Sequence, residues 1–477
     1  MTIKVFLDRY EREGSHTISG ELYTQCRDNC VKWLLKQGNI KDVGTAKDIF
    51  TDALLILLDN AERGKIAPSD TQVLTYLTTI CRNTQSNAHK RKDRASESDF
   101  DALIAQIADD NTEGSLESND VASIGIYHKM GQKATPAMHL GFGEKDDCIG
   151  HLLGAENRGL PQMFLMMNGA RIGVGMAGVH IGSAAYYASL QYAHERPQGR
   201  RLNEKNALGE PTTIIHHPDV RRMLLHQKAF VEGGLCLILQ CLTYLDMEKA
   251  HPDPAVKQHY NDLLELLTPV AKTYGAEAGT ISVNQGLQVL GGYGYTEDFE
   301  LEQLARDVRI MSLYEGTTGI QAQAILGRQI PRNNANAVNL WLTEVKKDIK
   351  TAQSLPKIKP YAALLTKELK QWEKTTTHLL AVAAKGDSEV FLSDATLYLE
   401  LFGILNVSWQ WLRMGIVAGN ALVKMGVNNS ESAFYVSKIH TMQFFFHYEL
   451  PKTKGLTARL LDEQVLTVFD GNFEAIF

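Results

Sequence analysis

Apolar positions recur at helical spacing along most of the chain, and the places where that rhythm breaks divide it into segments. "GTAKDIFTDALLILLDNAERG" carries apolar residues three and four apart and closes on Gly64, the pattern of an amphipathic helix stopped by glycine. "TQVLTYLTTICRNTQSNAHKRKDR" continues as a second amphipathic helix with a basic end. Residues 95–120, "ASESDFDALIAQIADDNTEGSLESND", lose the rhythm and are acidic and rich in Ser and Asn, which predicts a linker with one short helix. "ASIGIYHKM", "AMHLGFG" and "CIGHLLG" then read as three short strands between Gly, Lys and Asp clusters, too few for a sheet stable by itself. From Pro161 the helices are long. "PQMFLMMNGARIGVGMAGVHIGSAAYYASLQYAHERPQG" starts with proline in its first turn and is studded with small residues that let helices approach closely. "HHPDVRRMLLHQKAFVEGGLCLILQCLTYLDMEKA" is a second such helix, and "DPAVKQHYNDLLELLTPVAKTYGAEAGTISVNQGLQVLGG" predicts two more with a break near Pro269. With the helix after Glu315 this makes a four- or five-helix bundle. Residues 330–477 add amphipathic helices with Trp341, Trp372, Trp409 and Trp411 as core or interface anchors. The expected fold is mainly α: a helical module over 1–94, a linker over 95–120, a small β segment over 121–160, a bundle over 161–329 and a further helical domain over 330–477.

Composition narrows the function classes. The 477 residues are 44% hydrophobic and 22% charged, with a net charge of −6, so an ordered protein without a global pull toward nucleic acid or membrane is expected. Six cysteines are scattered. Cys26 and Cys30 are spaced to share a helix face, but no second ligand pair follows, so no metal site is expected. A reduced compartment fits this usage, and "MTIKVFLDRYEREG" has no signal-peptide core, which together predict a cytoplasmic protein. The most apolar helices, around 161–193 and 400–425, contain Arg171, His180 and Arg413 and read as buried bundle helices.

Two clusters raise chemical questions. Arg82, Lys90, Arg91, Lys92 and Arg94 stand against Asp93 alone; they are either a solvated helix end or a phosphate-contacting face. In "RDVRIMSLYEGTTGIQAQAILGRQI", Glu315 follows Ile310, Met311, Leu313 and Tyr314 and precedes a helix start. It is either an acid complementing the helix dipole, with Thr317 or Thr318 as cap, or a general base whose poor solvation suits it to taking a proton.

Residues 15–94 resemble region 2 of the extracytoplasmic-function sigma factors, in which a "DIFTDALLILL"-like helix grips RNA polymerase and a "YLTTICRNTQSNAHKRK"-like helix meets promoter DNA. That resemblance implies nucleic-acid contacts through Arg82, Lys90, Arg91, Lys92 and Arg94. The sigma factors' second, helix-turn-helix module has no counterpart here.

The run "QVLGGYGYTEDFELEQLARDVRIMSLYEGTTGIQ" resembles the acyl-CoA dehydrogenases, and the resemblance extends through "HKMGQKATPAMHLGFG", "GAENRGLPQMF", "MMNGARIGVGMAG" and "YAHERPQGR", covering about residues 120–330. The nearest likeness is to the branch with an extra C-terminal helical domain, which includes the 3-methylmercaptopropionyl-CoA dehydrogenases. The resemblance implies an FAD enzyme in which Glu315 removes the α-proton of an acyl-CoA thioester. It implies that Arg196, Gln288, Gly291, Gly292, Thr317, Thr318 and Gly319 bind FAD, with Gln288, Gly291 and Gly292 serving a neighbouring subunit. It places Asn168, Arg171, Tyr314 and Gly316 at the substrate, and it implies an electron-transfer flavoprotein as acceptor and a homo-oligomer. The family's N-terminal helical domain and the "TEPxAGSD"-like loop of its middle β-domain have no match here. That gap predicts an incomplete, inactive site. A sigma-like regulator binding DNA or polymerase, or an inert fusion, are the alternative readings.

Overall fold

In the computed structural model the chain divides into two units, Met1–Asn119 and Asp120–Phe477. The structure describes residues 2–13, 22, 26–27, 29–32, 34–36, 43–62, 66, 73–78, 80–81 and 119 of the first unit, and 120–203, 209–425, 430–469 and 471 of the second.

In the first unit, α1 (Ile3–Glu13) and α2 (Val43–Glu62) are amphipathic. Ile49, Phe50, Ala53, Leu54 and Leu57 repeat every three to four residues, so they share one face of α2, and all are buried. They join Ile3 and Phe6 of α1 with Leu34, Leu77, Cys30 and Cys81 in one core. Residues 73–78 are helical, as the pattern predicts. Arg82, Lys90, Arg91, Lys92 and Arg94 lie outside the described residues.

The second unit opens with an antiparallel hairpin, β1 (Val121–Ile126) and β2 (Met138–Phe142). Val121 faces Phe142 and Ile126 faces Met138, with an irregularity between Ser123 and Gly125. The third predicted strand, in "CIGHLLG", is not formed: residues 148–153 have no regular structure. A strand needs a partner for its backbone groups, and β1 and β2 pair only with each other among the described residues.

Three long helices follow: α3 (Gly159–Glu195), α4 (Pro218–Ala250) and α5 (Pro254–Leu290). The small residues of α3 act as the sequence suggests. A Cβ on Gly178 would lie 2.5 Å from the carbonyl oxygen of Gly275, and one on Gly175 2.5 Å from that of Ala271. These contacts advance together along both helices, so α3 and α5 run parallel with backbones touching, and α4 connects them in the opposite sense. Helix α5 is continuous, not broken at Pro269. Proline inside a helix costs about 3 kcal/mol; Leu263, Leu264, Leu266, Leu267, Val270 and Ala271 around it are all buried, and that burial outweighs the loss.

The chain returns through α6 (Leu301–Val308) and α7 (Thr318–Ala324), the latter running into one π-helical turn, Ile325–Gln329. Five further helices complete the unit: α8 (Arg332–Gln353), α9 (Lys359–Ala383), α10 (Ser388–Leu392), α11 (Ala395–Met425) and α12 (Ser432–Tyr448), before the short α13 (Thr453–Leu460). Trp341, Trp372, Trp409 and Trp411 are all core residues. Trp341, Trp409 and Trp411 donate their indole N–H to Asn406, Asp348 and the Ala229 carbonyl, so three of these large side chains are buried without stranding a donor. One continuous core joins α4 and α5 to α8, α9, α11 and α12. Helix α11 is long and apolar enough to cross a membrane, but most of its side chains are buried in this bundle.

Candidate active site

The return segment brings Glu315 back along α3 and α5. Leu301 is buried, and Val308 and Met311 pack with Val174 of α3 and with Ala276 and Val283 of α5. A 3-10 turn, Arg309–Ser312, then lifts the chain off the bundle. Leu313 and Tyr314 are exposed and Glu315 is half-buried, so the neighbourhood is less apolar than the sequence implies.

The backbone at Glu315 is the feature that sets this turn apart. Its φ is +54°, in the left-handed region where non-glycine residues are uncommon, and Gly316 follows at +90°. Two side-chain donors hold the pair. Lys272 Nζ donates to the Gly316 carbonyl at 2.8 Å, and Gln321 Nε2 donates to the Glu315 carbonyl at 2.9 Å. Thr317 caps α7, accepting from the Ile320 N–H at 3.4 Å. Thr318 is engaged sideways, donating to Glu277 on α5 at 2.9 Å. Tyr314 donates to Met311 Sδ at 3.1 Å. The hairpin loop rests beside this turn: the Gln132 N–H donates to Asp307 on α6, and Gly131 abuts the Arg306 carbonyl.

Lys272 and Arg171 form the cationic wall of this cluster. Lys272 is fully buried, and burial pushes its ammonium down to about 8; Glu277 and Glu315 oppose that shift and Arg171 adds to it. Burial also lowers Arg171, assisted by Arg328 and opposed by Glu315. An ammonium whose folded pKa lies below its unfolded value leaves the unfolded state binding more protons between the two, so stability rises with pH across that interval. The expected result is that the parent protein gains stability relative to Lys272→Met from about pH 8 to about pH 10.5, by at most about 3 kcal/mol, measured by urea unfolding. A flat difference would mean that the ammonium is solvated.

A cavity of about 310 Å³ lies on the Arg171 side, lined by Asn168, Arg171, Glu265, Arg328 and Arg332 among others. Glu315 is not part of its lining. Arg332 is paired with Glu265 across it.

The other predicted residues are elsewhere. Arg196 is the C-cap of α3, and Gly291, at φ +61°, is the C-cap of α5. The Arg196 guanidinium lies 5.5 Å from the Tyr293 ring centre, and its Nε is buried with no partner among the described residues. Gln288, Gly291 and Gly292 are exposed, and both glycines face open space. From Lys272 to Leu290 is 18 residues of helix, ~27 Å. The structure therefore groups Asn168, Arg171 and Tyr314–Gly319 beside the middle of α5, and places Arg196, Gln288, Gly291 and Gly292 at the C-terminal ends of α3 and α5. Sequence reasoning did not single out Lys272, Glu277 or Gln321; a lone lysine inside the apolar run "LLELLTPVAK" was the available signal.

Comparison with known proteins agrees with this architecture. Residues 157–330 match the family described as acyl-CoA dehydrogenase, C-terminal domain, and residues 341–468 match the one described as acetyl-CoA dehydrogenase C-terminal like. A butyryl-CoA dehydrogenase of Syntrophomonas wolfei is 31% identical over 354 residues, covering 73% of this chain and 57% of the relative. The 3-methylmercaptopropionyl-CoA dehydrogenase of Ruegeria pomeroyi is 31% identical over 353 residues, with 72% and 57% covered. The chain thus spans somewhat over half the length of these relatives. An acyl-CoA dehydrogenase from Bacillus anthracis solved with FAD shares the fold over 75% of this chain and 58% of its own, at 17% identity and TM-score 0.57.

Proposed function

We propose that this chain, which matches acyl-CoA dehydrogenases through residues 157–330 and 341–468, takes part in the FAD-dependent α,β-dehydrogenation of an acyl-CoA thioester, with Glu315 as the base. The observation that carries the reading is Glu315 itself: a half-buried carboxylate on a left-handed residue, set against buried Lys272 and half-buried Arg171. Proteins hold such backbone strain where the surroundings over-determine it, and functional turns are where it collects. Glu315 takes the α-proton, and the C–H electron pair moves toward the thioester carbonyl. Arg171 adds a positive field toward that developing negative charge. FAD, when bound, would supply the acceptor for the β-hydrogen as hydride, leaving the Cα=Cβ bond. Asn168 and Arg171, with the cavity beside them, take the CoA side of the substrate, and Tyr314 and Gly316 flank the acyl group.

Arg196, Gln288, Gly291 and Gly292 suit a flavin dinucleotide. An unpartnered buried guanidinium nitrogen matches a diphosphate oxygen, and uncovered glycine backbone permits close approach. Thr318 meets Glu277, which lies 11 residues of helix, ~16 Å, before Gln288 on α5. As the resemblance implies, Gln288, Gly291 and Gly292 of one chain would serve the FAD of a second copy. An electron-transfer flavoprotein would be the electron acceptor. The expectation of inactivity rests on the N-terminal helical domain and the middle-domain loop without a match here; the residues named above belong to neither.

Titrating the purified chain with FAD tests the cofactor arm. Saturable quenching of flavin fluorescence is expected in a species that light scattering sizes as a dimer or larger. Arg196→Ala should weaken binding about tenfold or more, the loss of a charge-assisted hydrogen bond. Equal affinity in the two proteins would remove Arg196 from the site.

A further inference from the structure

We infer that Lys272 and Gln321 are positioning residues for Glu315: two donors that reach the inner side of the turn from different helices and lock the Glu315–Gly316 backbone in the left-handed form that presents the carboxylate. This rests on the reading of Glu315 as the base.

Three observations converge on it. The donors take consecutive carbonyls: Gln321 Nε2 serves Glu315 at 2.9 Å and lies 3.4 Å from the Gly316 oxygen, which Lys272 Nζ takes at 2.8 Å. Both donors are fully buried. A lysine carried to that depth in α5 is costly unless its ammonium meets an acceptor, and the Gly316 carbonyl supplies one. The fit is also steric. A Cβ on Gly316 would lie 2.5 Å from Gln321 Nε2, so the absence of a side chain at 316 is what admits the second donor. Without the two donors the turn would relax: a non-glycine residue at positive φ is strained, and the hydrogen bonds to the inner carbonyls supply the restraint against it. The two donors act in series with helix packing. Lys272 lies one turn before the Gly275 contact with α3, and Gln321 lies one turn into α7, so the turn is pinned to the bundle on one side and to its own helix on the other.

The test compares the full-length parent with Lys272→Met, Lys272→Arg and Gln321→Leu, each loaded with FAD, by two readouts. Hydrogen–deuterium exchange reads the segment 313–321. Incubation with butyryl-CoA in heavy water reads incorporation of deuterium at the α-carbon, which reports proton removal without hydride transfer. Lys272→Met and Gln321→Leu are expected to speed exchange of the segment at least about tenfold, with protection of α4 and α11 unchanged. They should also cut α-deuteration about tenfold or more with little change in thioester affinity, and Lys272→Arg should restore part of both. Packing residues alone would alter global protection and not this split. If the parent deuterates the substrate and both variants stay within twofold of it, the clamp is refuted while the base reading stands. If the parent deuterates nothing, Glu315 is not the base and the clamp has nothing to position. Should Lys272→Met fail to fold, Gln321→Leu decides by itself.

Discussion

Gly178→Val is expected to abolish the stable fold of the second unit, or to lower its melting temperature by roughly 4 °C or more if it folds. A Cβ at this position would lie 2.5 Å from the Gly275 carbonyl oxygen and 2.9 Å from the Ala276 Cα, both of them backbone atoms that no rotamer change can move. Valine adds two methyl groups to that collision. Overpacking a rigid core typically costs 1–3 kcal/mol, and a backbone-to-backbone contact belongs at or above the top of that range. The consequence for function follows from geometry. Arg171 sits two turns before Gly178 on α3, and Lys272 one turn before Gly275 on α5, so prying the helices apart separates the two cations that frame Glu315. Differential scanning calorimetry of the variant checks the first part. An unchanged melting temperature would mean that the close approach of α3 and α5 is not present in solution.

Glu315→Gln is the second large effect. Glutamine keeps the shape of the side chain and tolerates the same turn, but it cannot accept the α-proton. Loss of a positioned general base costs about 10²–10⁴-fold. Glu297 and Glu300 are exposed in the turn before α6 and Glu302 is paired with Arg306, so none of them substitutes. FAD affinity and thermal stability of the variant should match the parent. Reaction with butyryl-CoA is the measurement, and a variant within a few-fold of the parent would take Glu315 out of the mechanism.

Much of the helical architecture was legible because its signals are periodic. The apolar stripe of α2, the proline starts of α3 and α4, and the small residues of α3 state local preferences that packing then honours. Pro269 misled because the sequence shows the lost hydrogen bond and not the six buried apolar neighbours that hold α5 straight. "CIGHLLG" misled for the opposite reason: its apolar residues favour a strand, but strand formation depends on a partner, which no local pattern encodes. At the site, the glycines and the acid could be read as a motif. The clamp could not, because Lys272 and Gln321 meet the turn from 44 and 6 residues away, and only the fold brings them together. The division of the expected residues between the middle of α5 and the C-terminal ends of α3 and α5 was likewise invisible until α3 and α5 were seen to run parallel.

The most direct test is an anaerobic spectrum. The FAD-loaded parent is mixed with excess butyryl-CoA and the visible flavin band is followed. Loss of that band in the parent and its persistence in Glu315→Gln is the predicted result. An oxidised flavin band that stays unchanged in the parent, with FAD and thioester both shown to be bound, would contradict the proposal that this chain performs acyl-CoA dehydrogenation.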